Sequence, residues 1–141
     1  MRRHLILALV AAALAFAPAA FAADDKKAAD DSGGLYVDLS TVGLPVIQNG
    51  RLVNYVFTQI RLILQPGSNP VALRAKEPYF RDALVRAATR TPFTVPGDPN
   101  RLDDAAMKRS LMVEAAKIVG PRAIASVQVV EETPKKNLPK S

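Results

Sequence analysis

Few side chains in this chain could do chemistry, and they fall into small groups. Asp103-Asp104 and Glu131-Glu132 are carboxylate pairs that could hold a cation or trade a proton. Arg74, Arg81, Arg86 and Arg90 form a run of guanidinium groups that could grip an anionic partner. Tyr36, Tyr55 and Tyr79 offer phenols. What is withheld is more decisive. There is no Cys, and the one His, His4, stands in an apolar N-terminal leader. Behind that leader the chain cannot build a Ser-His-Asp or Cys-His nucleophile, a zinc site of nitrogen and sulfur ligands, or a haem attachment. No catalytic residue, cofactor or metal ligand is expected.

Each remaining group has a plainer account. Asp103-Asp104 stands where a helix begins, and carboxylates suit the positive end of its dipole. Glu131-Glu132 closes a strand, where a solvated terminus is expected. The tyrosines have no basic partner and read as packing residues; Met107 and Met112 read as core filling. The arginines do not fall on one line of a helix, yet Arg81, Asp82, Arg86 and Arg90 remain the candidates for an interaction surface. Thr91 to Asn100 carries three prolines and a glycine and reads as a loop, long for a connection and so a candidate recognition loop.

The elements that must position these groups are organised around Arg51 to Gln65. Leu52, Val56, Ile60, Leu62 and Leu64 recur with a period of two, broken only by Asn54 and Thr58, which is the mark of a long strand. Asn49-Gly50 before it is a hairpin turn signal. A first strand is expected over Leu35 to Leu44, with Pro45 at an edge or bulge because it lacks a ladder donor. Asn69-Pro70 is a cap and first turn for a short helix to Lys76. A second helix runs from Tyr79 to Arg90, with Phe80, Leu84 and Ala87 on one face and Asp82 paired to Arg86. Leu102 to Val119 is the longest helix, striped by Met107, Leu111, Ala115 and Ile118 and stopped by Gly120-Pro121. Ala123 to Glu131 alternates as the last strand. The fold expected is α+β: a small antiparallel or mixed sheet with two to three helices on one face.

Arg2-Arg3, an apolar run from Leu5 to Phe16, Pro18 and Ala20-Phe21-Ala22 have the order of a secretory signal peptide over residues 1–22. A short membrane anchor is the rival, since roughly 18 to 20 apolar residues span a bilayer. Either way the remainder is expected in the periplasm. Residues 23–34 read as a flexible spacer, 35–132 as the folded domain and 133–141 as a disordered Lys-Pro tail. Losing Arg2 and Arg3 takes the formal charge from +6 to +4. For an exported chain this implies weak attraction to anionic lipid heads and no nucleic acid partner.

Over residues 35–130 this order resembles FliL, the flagellar basal-body-associated family. The likeness rests on Leu35-Tyr36-Val37-Asp38-Leu39, on Val53 to Leu62, and on Glu77-Pro78-Tyr79-Phe80-Arg81-Asp82-Ala83-Leu84-Val85. It implies a periplasmic domain similar to the stomatin and prohibitin core. It also implies inner-membrane association, homo-oligomers, and protein contact with the flagellar stator or basal body in support of motility. Two departures stand out: the apolar run begins at Leu5 and carries a plausible cleavage site where the family has a full membrane span after a longer stretch, and a Lys-Pro tail follows the last strand. The alternative expectation is a stomatin-like envelope scaffold unrelated to motility.

Overall fold

The computed structural model describes residues 34–135. Along them run β1 (Tyr36–Asp38), β2 (Val42–Gln48), β3 (Arg51–Leu64), α1 (Pro70–Arg74), α2 (Glu77–Arg90), β4 (Thr94–Val95), β5 (Asp98–Leu102), α3 (Asp104–Val119) and β6 (Ile124–Pro134). The leader, all but the end of the spacer, and the tail beyond Lys135 lie outside the described residues.

β3 is the axis of the sheet. Its even-numbered side chains from Asn54 to Leu64 are all buried, as a period of two requires. Leu52 is the exception at the hairpin mouth, where the ladder slips between Val46 and Ile47. Asn49 and Gly50 both take positive φ, 51° and 73°, which matches the right-handed twist of the strands that the turn joins. β2 folds back on β3 from Val42↔Thr58 to Gln48↔Arg51, and β1 pairs beyond it at Tyr36↔Ile63 to Asp38↔Arg61. β6 pairs antiparallel with Val56 to Leu64. It overlaps both of those stretches, so β1 and β2 must lie in succession along the opposite edge of β3.

The single first strand expected over Leu35 to Leu44 is therefore two. Asp38↔Arg61 and Val42↔Thr58 differ in register by one residue, which makes Ser40-Thr41 a bulge. The Ser40 N–H turns out of the ladder and donates to Glu77 Oε1 at 2.9 Å, tying the edge to the start of α2. Pro45 sits inside β2 on this outer edge, where a missing donor costs nothing.

The helices cover one face of the sheet, as the α+β expectation requires. Asn69 caps α1, its Oδ1 accepting from Val71 N and Ala72 N, with Pro70 in the first turn. α2 buries Phe80, Ala83, Leu84, Ala87 and Ala88, and α3 buries Met107, Leu111 and Ala115. These meet Val56, Ile60 and Leu62 in one core. Each large side chain so buried is worth about 1.5–3 kcal/mol.

Thr91 to Asn100 is not a plain loop. It holds most of the β4–β5 hairpin, turned by Pro96-Gly97 with Gly97 at φ 79°, the left-handed position of a type II turn. Phe93 and Leu102 anchor its two ends in the core. The buried Asn54 amide donates to Pro99 O at 3.0 Å and Asn100 Oδ1 at 3.2 Å, and Thr94 Oγ1 donates to Ile47 O at 2.8 Å. β6 also runs further than expected. It continues through Thr133 and Pro134, and Lys135 N–H still donates to Tyr55 O at 2.8 Å.

Candidate functional site

The face of the sheet opposite the helices carries the most distinctive surface. Residues directly paired across antiparallel strands point the same way. The register therefore lines up Tyr36, Ile63 and Ser126 in one row, and Asp38, Arg61 and Gln128 in the next. Beyond them come Gln59 with Glu131, and then Gly43, Phe57 and Thr133. Phe57 lies across Gly43: a Cβ there would come within 3.1 Å of the ring. The missing side chain thus gives the ring a shelf, yet Phe57 stays 41% exposed. Tyr36 at 39% and the bulge residue Val130 at 40% are likewise exposed, with the polar Arg61 and Gln59 rows between Tyr36 and Phe57. Arg61 is fixed between the rows of Tyr36 and Phe57. Its Nε lies 2.7 Å from Asp38 Oδ1, its Nη2 donates to Oδ2 at 3.1 Å, and its guanidinium stacks 3.9 Å over the Tyr36 ring.

The arginine candidates are not brought together. Arg81 lies 3.9 Å from Glu77 Oε1, Arg86 is 2.7 Å from Asp82, and Arg90 reaches across to Glu114 on α3 at 3.0 Å. Neighbours one residue apart on a helix diverge, so Arg81 and Asp82 pair with different partners rather than each other. These two do share a groove of about 390 Å³ between α2 and the β2 edge, lined also by Thr41, Val42, Gly43, Pro78 and Val85. Arg74, Arg86 and Arg90 are exposed and solvated. Lys117 donates to Glu114 as well, and that bond, helped by Arg90, holds the Glu114 carboxyl below its ordinary value.

Two carboxylates set aside on sequence grounds meet in space. Asp103 is the helix cap as expected, its Oδ1 accepting from Ala106 N. Asp104, one residue on, lies beside Glu132 of β6, and Asp104 Oδ1 and Glu132 Oε1 are both buried with no other partner. Glu132 is therefore not a solvated terminus, because β6 continues past it and turns it inward opposite Thr58. Burial first, then the Asp104 carboxyl, pushes Glu132 up to about 7, against the pull of Arg101 and Lys108. A proton on Glu132 would let it donate to Asp104, replacing a repulsion between α3 and β6 with a hydrogen bond. The signal in the sequence was weak: two acidic doublets nearly thirty residues apart, with nothing local to show that they converge.

Two of the three tyrosines depart from a packing role. Tyr79 is exposed beside Lys76, whose Nζ lies 5.2 Å from the ring centre, and Tyr36 packs under Arg61 rather than in the core. Among the described residues no helix is long and apolar enough to cross a membrane, and no group of three or more acidic or imidazole side chains is gathered as for a metal ion. The chain matches no protein-family model, and a search of curated proteins finds no match to its sequence.

Proposed function

We propose that this chain is a non-enzymatic accessory protein of the cell envelope that acts by protein–protein contact. In the manner of the FliL-like proteins its sequence resembles, it associates with the flagellar stator or basal body and supports motility. The observation that carries the reading is the outer sheet face. There Tyr36 and Phe57 remain partly in solvent on either side of a rigid Arg61–Asp38 pair, on a sheet whose other face is packed against helices. Exposed aromatic rings flanking a fixed charged pair on a sheet face suit a protein contact surface. Arg enforces orientation and the aromatic rings supply area at low entropic cost.

Deletion of the gene tests the assignment. Loss of swimming and swarming, restored by the native gene in trans, is the expected result. Normal motility with an altered envelope would replace the motor role with that of a stomatin-like scaffold.

A further inference from the structure

We infer that the outer edge of β2 around Gly43, together with the facing stripe of α2, is a docking groove for a short extended segment of a partner protein that carries a carboxylate. The ladder dictates which backbone groups can receive it. Leu39 N–H donates to Ile60 O and Lys135 N–H to Tyr55 O, so even-numbered residues of β3 turn their backbone toward β1 and β2, odd ones toward β6. Val42 and Leu44 therefore bond their partners Thr58 and Val56. The N–H and C=O of Gly43 between them point outward, as does the C=O of Pro45. Among the described residues no further strand pairs with this edge, and no backbone group outside the ladder bonds these three. Both ends of the opening are shut. The Ser40-Thr41 bulge is tied to Glu77, and Pro45 has no N–H, so the edge admits a few residues of chain rather than a whole sheet.

Alternation then assigns the side chains of such a segment. An antiparallel segment exchanges both Gly43 bonds with one residue, and that residue points to the outer face, where the Phe57 ring lies across Gly43. Its two neighbours point the other way, into the groove of about 390 Å³. The wall there is Pro78, Arg81, Asp82 and Val85, one stripe of α2 at helical spacing. α2 starts at the Ser40–Glu77 contact and runs alongside β2, so the neighbour opposite Val42 meets Pro78 and Arg81, and the one opposite Leu44 meets Val85. Charge decides the chemistry. Asp82 is held by Arg86 at 2.7 Å, while Glu77 Oε1 accepts from Ser40 N–H and stays 3.9 Å from Arg81. The half-exposed Arg81 guanidinium thus has donors left for a carboxylate. An apolar residue followed two positions later by an acidic one, in extended chain, complements the groove in backbone, shape and charge.

The groove rests on the contact-protein reading and names the kind of partner, but its test does not use motility. The probe is a fluorescein-labelled peptide, KTVYETK, which sets Val and Glu on either side of Tyr. It should bind one-to-one by fluorescence polarisation, and amide NMR shifts should centre on Thr41 to Leu44 and Tyr79 to Val85. Methylating the tyrosine amide nitrogen, or placing lysine for the glutamate, should each weaken binding at least tenfold. R81E should reverse the preference between the glutamate and lysine peptides; should that variant misfold, R81A should bind both alike. No binding, shifts centred elsewhere, or affinity indifferent to N-methylation and to the charge at position 81 would overturn the groove. Concentration-dependent shifts at Thr41 to Leu44 without peptide would give it to a second copy and overturn it equally. Peptide binding with normal motility in the deletion strain would remove the motor role alone, and lost motility without peptide binding the groove alone.

Discussion

Glu132 titrates in the range where cells live. It releases its proton near 7 in the folded chain, against 4.5 for the ordinary carboxyl. Between those values the folded state binds more protons than the unfolded one, so stability falls as pH rises through this window and is regained on acidification. Glu132→Gln keeps a hydrogen-bond donor for Asp104 without the second charge. Its melting temperature at pH 8 should exceed that of the native protein by a few degrees, with a flatter dependence between pH 5 and 8. A variant that melts lower at pH 8, or keeps the native slope, would show that the two carboxyls do not share a proton. Phenylalanines report on the two sides of the sheet. Phe80 is fully buried, and Phe80→Ala should cost about 3–5 kcal/mol in urea unfolding. Phe57→Ala removes a ring that is 41% exposed and rests on Gly43, and should cost clearly less than Phe80→Ala. Equal losses would mean that the outer face is itself part of the core.

At the scale of elements, Asn54 and Thr94 make the polar ties that hold the β4–β5 hairpin to the sheet. Asn54 stands in a buried row of β3 where every other side chain except Thr58 is apolar, and its amide is what the hairpin backbone binds. Asn54→Ala leaves Pro99 O without its donor and should cost about 1–3 kcal/mol, with faster proteolysis between Val95 and Arg101. Unchanged cleavage would mean that Thr94, Phe93 and Leu102 hold the hairpin without it. The same residues explain what could be read in advance. Period-two burial in β3, the Asn49-Gly50 turn, the Asn69 cap and the α3 stripe are local signals, and each is realised within a residue or two. The Ser40-Thr41 bulge was hidden because it is set by Glu77, thirty-seven residues away. Pro96-Gly97 did announce a type II turn, but the strands around it are short and prolines masked them. The Asp104–Glu132 clasp and the Phe57 shelf over Gly43 depend on register, which no single stretch encodes.

For the whole molecule, the division of labour follows from where the helices are. α2 and α3 seal one face of a three-rank sheet and give it rigidity. The other face keeps Tyr36, Phe57 and Val130 in solvent at no cost to the core, and β6 leaves its outer edge open. A surface so placed can change without unfolding the domain, which makes it separable from stability by mutation. The double variant F57D/V130D, expressed in the deletion strain and first shown to melt like the native protein, is the sharpest probe of action by contact. Swimming-ring diameter should stay at the deletion-strain value although the protein accumulates normally. Full restoration of swimming by that variant would contradict the account.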